Sequence, residues 1–220
     1  MRFISRQDAG RQLGQCLLRQ GGEVDLVLGL PRGGVVVAAE VARRLQRPLD
    51  VLVVRKIGHP LHREFAVGAL AEPDVVIFDE ATLAEIPAPH ARLEQVVAEE
   101  MARLREYRSH FHGSHLPALR DQRVLLVDDG LATGATAEAA VRSVKRQGAC
   151  RVTVAAPVAS TGAAGRLQRV ADEVVTLLVD PGFEAVGQYY DEFSQTTDEE
   201  VIGLLHAAAP RRNETATGIG

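Results

Sequence analysis

The sequence predicts a doubly wound α/β domain: a mainly parallel sheet with helices on both faces and a small cap. Three observations predict it. Short runs that are apolar throughout alternate with segments of helical period. Two of those runs pass through a turn of small residues straight into a helix. The composition, 46% hydrophobic with 4% aromatic residues and no Trp, calls for a tightly packed aliphatic interior. Strands without polar alternation suit a sheet covered on both sides, and alternation with helices supplies the covers.

Ser5-Arg6-Gln7-Asp8 has the form of a helix start, with Ser5 as cap, and Ala9, Leu13, Cys16 and Leu17 recur at helical spacing until Gly21-Gly22. Residues 24–30 form a first strand, followed by Pro31-Arg32-Gly33-Gly34 and a helix over 35–45. Residues 49–54 read as a second strand and 75–78 as a third, with a polar, mobile loop at 59–65 between strand-like pieces. A charged helix spans 89–107 and a fourth strand 123–127. Helix 137–147, strand 151–158, helix 161–170 and strand 174–179 complete the alternation. Residues 181–193 have no helical period but hold Phe183, Tyr189, Tyr190 and Phe193, the makings of a cap at the sheet's edge.

Residues 1–206 are expected to form one domain, its cap built from parts of 1–22 and 181–206, and 207–220 a loose tail. Cys16 and Cys150 are far apart and surrounded by apolar residues, so both read as buried thiols in a reducing compartment. With 25 basic against 29 acidic residues and no basic stripe interleaved with aromatics, nucleic acid is not the expected partner. No apolar run reaches the ~18 residues of a membrane span and the start lacks a signal-peptide core, so a cytoplasmic location is expected.

The chemistry concentrates in Val124-Leu125-Leu126-Val127-Asp128-Asp129-Gly130-Leu131-Ala132-Thr133-Gly134-Ala135-Thr136. Carboxylates just past the carboxyl end of a parallel strand face the crevice where open α/β sheets bind ligands. Asp128 and Asp129 can accept hydrogen bonds from vicinal hydroxyls or approach a cation. Thr133, Gly134, Ala135 and Thr136 are small enough for an anion to reach backbone N–H groups, and the helix that follows adds its dipole. Taken alone, paired acids at a strand end would also serve as a helix cap or a general metal site.

Two acids followed by a Thr-Gly-x-Thr turn resemble the PRPP-binding signature of type I phosphoribosyltransferases, and the likeness runs from residue 24 to about residue 200. That resemblance implies the family's fold with its hood, and a Mg²⁺-dependent transfer of the phosphoribosyl group of PRPP to a small nitrogenous acceptor with release of pyrophosphate. It assigns a pyrophosphate loop to Pro31, Arg32, Gly33 and Gly34, where glycines admit the anion and Arg32 offers a fork. This loop often holds an unusual peptide geometry in the family. Lys56, one of two lysines, falls where the family places a basic residue for the leaving group. Residues 64–69, Glu64-Phe65-Ala66-Val67-Gly68-Ala69, look like the segment closing the flexible loop in a stand-alone bacterial subgroup. Arg32, Lys56, Asp128 and Asp129 are therefore the catalytic candidates. The ion would be held by Asp128 and Asp129 mainly through PRPP and water. Gly130, Ala132, Thr133, Gly134, Ala135 and Thr136 would contact the donor.

At Ala132 the chain departs from enzymes of 6-oxopurines, which carry an Asp there. The acceptor is otherwise read from Tyr189 and Tyr190, as stacking faces for a planar base or as core packing. His59 and His62 fall in the presumed mobile loop, placed for proton work or simply solvated. His110, His112 and His115 read as a solvated loop rather than a metal site. The resemblance also allows a PRPP sensor without transferase activity, and dimers are frequent in the family. No G-x-G-x-x-G follows the first strand, and the Walker A and serine-elbow patterns are absent from the sequence.

Overall fold

In a computed structural model, which describes residues 1–63, 65–85, 89–112 and 117–208, the elements run α1 (Arg6–Gln20), β1 (Leu26–Gly29), α2 (Gly33–Leu45), β2 (Leu49–Val51), β3 (Val54–Gly58), β4 (Ala66–Ala71), β5 (Val75–Phe78), α3 (Glu80–Glu85), α4 (His90–His112), β6 (Arg123–Val127), α5 (Ala135–Arg146), β7 (Arg151–Ser160), α6 (Thr161–Leu167), β8 (Glu173–Asp180), a 3-10 turn (Val186–Tyr189) and α7 (Asp198–Ala208). Five strands form a sheet in the order β2-β1-β6-β7-β8, with every neighbouring pair parallel.

Period-two geometry sends alternate residues of these strands to opposite faces. Val27, Leu125, Val127 and Ala155 pack with Leu13, Val37 and Val41 of α1 and α2. Leu28, Leu126 and Val154 pack instead with Val141 and Val144 of α5 and Leu167 of α6. Both faces are dry, so the doubly wound expectation holds. Ser5 caps α1 as read from sequence, its side chain accepting from the Asp8 N–H at 3.3 Å.

Several expectations need correction. Residues 49–54 do not form one strand: β2 ends at Val51, and Val54 opens β3 in a second, antiparallel sheet of order β3-β4-β5. Residues 75–78 belong to that sheet and not to the parallel one. The cause is β4, whose run Ala-Val-Gly-Ala-Leu-Ala shows no polar alternation that would mark it as a strand. It turns back sharply on both neighbours.

The link 59–65 is closed by hydrogen bonds, His59 N–H to the Phe65 carbonyl at 2.7 Å and Phe65 N–H to the His62 carbonyl at 2.9 Å. His59 is only 1% exposed, not solvated. Glu64 lies outside the described residues, and Ala66 to Ala69 stand on β4. Helix α4 runs on to His112, so His110 and His112 are helical, and the His112 side chain is 2% exposed. His115 lies outside the described residues. Cys150 is exposed in the turn before β7, its Sγ 3.3 Å from the Asp121 carbonyl, and both cysteines are free. Ala207 and Ala208 are the end of α7 and not tail, while 209–220 lie outside the described residues. Among the described residues no helix is long and apolar enough to cross a membrane.

Candidate active site

β1 and β6 are neighbours, so the loops at their carboxyl ends lie side by side. Leu30 N–H donates to the Val127 carbonyl at 2.9 Å, which pins the start of the Pro31 loop to the tip of β6. The peptide between Pro31 and Arg32 is cis. Gly33 and Gly34 then pass so close to the acids that no side chain fits. A Cβ on Gly33 would sit 2.0 Å from Asp129 Oδ2, and one on Gly34 2.9 Å from the Asp128 Cα. Glycine is required here by contact.

Past the acids, Gly134 takes φ 74°, the left-handed conformation glycine adopts without cost, and turns the chain into α5. No side chain caps that helix. Apart from a 3.3 Å bond from Ala135 N–H to Thr133 Oγ1, the first N–H groups of the helix have no side-chain cap, as an anion cradle needs.

Asp128 and Asp129 are not equivalent. Asp128 lines a cavity of about 660 Å³ together with Pro31, Lys56 and Thr136. Its Oδ1 accepts the Asp129 N–H at 2.8 Å. Burial, and then the neighbouring charge of Asp129, hold the Asp128 carboxyl well above the usual carboxylate range, with Arg6 opposing. Asp129 points elsewhere, its Oδ2 taking the Arg6 Nε–H at 2.7 Å.

The far wall of the cavity was not foreseen. Glu99, Glu100 and Arg103 from α4 line it together with Arg55 and Arg63. Arg55 donates to Glu100 at 2.7 Å, Arg103 to Glu100 at 2.6 Å and Arg63 to Glu99 at 2.9 Å. These arginines belong to no motif of their own, and nothing in the spacing of α4 distinguishes its acids from a solvated face.

The other expected residues divide. Lys56 stands in the middle of β3, paired with Ala69, rather than just past a core strand, yet it reaches the cavity. The Arg32 side chain leans towards α7, 3.7 Å from Asp198, and does not line that cavity. Ala132 and Thr133 border a separate, open groove of about 1300 Å³ between β5, α5 and α6. Gly130 is covered by the 3-10 turn, since a Cβ there would lie 2.7 Å from Val186.

Tyr189 and Tyr190, read from the sequence as stacking faces or as core packing, are 4% and 2% exposed. Phe183 stands 5.3 Å from the Tyr189 ring, and Phe3 and Phe193 stand 5.6 and 5.2 Å from Tyr190. Their hydroxyls are engaged by Asp180 Oδ2 at 2.8 Å and the Asp129 carbonyl at 2.6 Å. Core packing of the cap is the role the structure gives these rings.

Arg6 is the residue sequence reasoning missed. A signal existed: a positive side chain in the first turn of a helix opposes the dipole, so it asks for a partner elsewhere.

Comparison with known proteins gives a consistent result. The profile of the Phosphoribosyl transferase domain family matches residues 5–193. A Mycobacterium tuberculosis (strain H37Rv) protein named "Putative phosphoribosyl transferase Rv0571c" is 42% identical over 94% of this chain and 47% of its own length. This chain thus spans about half the length of that relative. The adenine phosphoribosyltransferase of Mycobacterium avium is 36% identical over 68% of this chain and 63% of its own length. The crystal structure of TT1426 from Thermus thermophilus is 45% identical, covers 96% of this chain and 100% of its own, and superposes with a TM-score of 0.80.

Proposed function

Because the chain belongs to the phosphoribosyl transferase domain family, we propose that it transfers the 5-phosphoribosyl group of PRPP to a ring or amino nitrogen of a small acceptor, a nucleobase, and releases pyrophosphate. The observation that carries this is the pairing, at one strand tip, of Asp128 with the uncapped start of α5, on a cavity that Lys56 also lines. The N–H groups of Gly134, Ala135 and Thr136 would take the 5-phosphate, and Asp128 the ribose hydroxyls.

In the transfer the bond from C1 to the pyrophosphate oxygen breaks with its electron pair leaving on oxygen, the bond from C1 to the acceptor nitrogen forms, and that nitrogen's proton passes to solvent. Lys56, with Arg55 and Arg63 beside it, would stabilise charge growing on the leaving group, while Asp128 faces the cationic sugar. Mg²⁺ would neutralise pyrophosphate charge. A hard cation would suit this place, because the Asp128 carboxyl lines the cavity in which the pyrophosphate would lie. Asp129, engaged by Arg6, would reach the ion through water. Gly33 and Gly34 keep the neighbouring loop close enough for its backbone to meet phosphate oxygens.

The test is pyrophosphate release from PRPP and MgCl₂ with a panel of nucleobases. Adenine comes first, because a relative is named for it and Ala132 lacks the carboxylate expected with 6-oxopurines. Turnover with at least one base supports the transferase. Tight PRPP binding with no turnover on any base would replace it with a PRPP-sensing role.

A further inference from the structure

We propose that Arg6 is a positioning residue of the donor site, acting through Asp129, and that it ties the aromatic cap to the sugar pocket; this rests on the transferase reading above. Arg6 is 9% exposed although it opens α1. A guanidinium buried there suffers both desolvation and an opposing helix dipole, and it persists only with strong partners.

It has three. Its Nε donates to Asp129 Oδ2 at 2.7 Å and its Nη1 to the Ser194 carbonyl at 2.7 Å. Its guanidinium lies 3.9 Å over the Phe193 ring. From the other side the Tyr190 hydroxyl donates to the Asp129 carbonyl at 2.6 Å. Asp129 is therefore held at its carboxylate by the N-terminal helix and at its backbone by the cap.

Gly33 packs against the same carboxylate, where a Cβ would lie 2.0 Å from Asp129 Oδ2 and 2.7 Å from Arg6 Nε. Helix α1, the cap and the Pro31 loop meet at this one residue. Its consequence is the division of labour between the acids. Arg6 turns Asp129 aside and offsets its charge, which leaves Asp128 to face the cavity. Without Arg6, two partly buried carboxylates would share a strand tip with no cation between them, and the sugar site would lose its shape. Because Phe193 and Ser194 belong to the cap, an acceptor that shifts the cap also shifts Arg6.

The experiment is calorimetric titration of PRPP in MgCl₂ into wild type, Arg6→Met, Arg6→Lys and Tyr190→Phe, with cooperative thermal unfolding as the check on folding. Arg6→Met should weaken binding by about ten- to a hundredfold, the range for losing a hydrogen bond to a charged group. Arg6→Lys should recover part of that loss, since it restores the charge without the fork. Tyr190→Phe keeps the packing, and should weaken binding by a factor of about three to ten. Should Arg6→Met not fold, Arg6→Lys and Tyr190→Phe carry the comparison. Unchanged affinity in Arg6→Met or Tyr190→Phe, or equal loss in Arg6→Met and Arg6→Lys, overturns the clamp while leaving the donor site standing. Failure of wild type to bind PRPP overturns the donor-site reading, and the clamp with it.

Discussion

Raising the pH should unlock the joint between the two sheets, because that joint is a buried histidine. His112, in the last turn of α4, places Nε2 2.8 Å from Glu72 Oε1 and Nδ1 3.5 Å from Asp50 Oδ1. Glu72 belongs to the turn between β4 and β5, Asp50 to β2, and the same Glu72 oxygen accepts the Val53 N–H at 2.7 Å. Burial alone would lower the imidazole's proton affinity, but hydrogen bonds to Asp50 and Glu72, with their charges, outweigh it and hold the pKa at about 9 against an ordinary 6.5. At about 1.4 kcal/mol per tenfold change in proton affinity, that rise corresponds to roughly 3 kcal/mol.

The sign follows from a raised folded-state pKa. The stabilisation is fully present below pH 6.5 and is lost as pH climbs through about 9. Urea unfolding of wild type and His112→Gln between about pH 6 and pH 10 reads it directly. Wild type should be the more stable at low pH by about 2 to 3 kcal/mol, and the two curves should converge at the alkaline end. Parallel curves across the range, or a His112 resonance titrating near its ordinary value, would refute the reasoning.

Three further outcomes are expected. Gly33→Ala, which drives a methyl to 2.0 Å from Asp129 Oδ2, should lose about 1 to 3 kcal/mol of stability by the same unfolding assay and bind PRPP poorly. Leu126→Ala, at a fully buried position of β6, should cost about 2 to 5 kcal/mol, read as a lowered denaturation midpoint at unchanged slope. Lys56→Met should leave stability within about 0.5 kcal/mol and lower the rate of pyrophosphate release by about a hundredfold or more.

Much of the fold was legible because local rules agreed. Continuous apolar runs, the Ser5 cap and the Gly-rich and acidic turns all pointed to one parallel sheet. The second sheet was not, since Ala66 to Ala71 is made of small residues that carry neither helical nor alternating period. Helix α7 did carry a signal that was passed over: Thr197-Asp198-Glu199-Glu200 is a capping box. Its Thr197 N–H donates to Glu200 Oε2 at 2.8 Å, and the Glu200 N–H returns to Thr197 Oγ1 at 3.2 Å.

At the site, Asp128 and the turn to Thr136 could be read because one contiguous segment builds them. Arg6, 123 residues from its partner Asp129, and the α4 acids depend on tertiary contact that no local pattern announces. The same limit left Tyr189 and Tyr190 open between a stacking surface and core packing. Their aromatic character suits either role, and only the tertiary contacts show them packed inside the cap.

The most direct test is a crystal structure of the chain grown with PRPP and MgCl₂. The 5-phosphate should rest on the N–H groups of Gly134, Ala135 and Thr136, with the ribose hydroxyls on Asp128 and the pyrophosphate towards Lys56. Density for the sugar phosphate in the groove beside α6, or an Asp128 carboxylate making no contact with it, would contradict the proposed site.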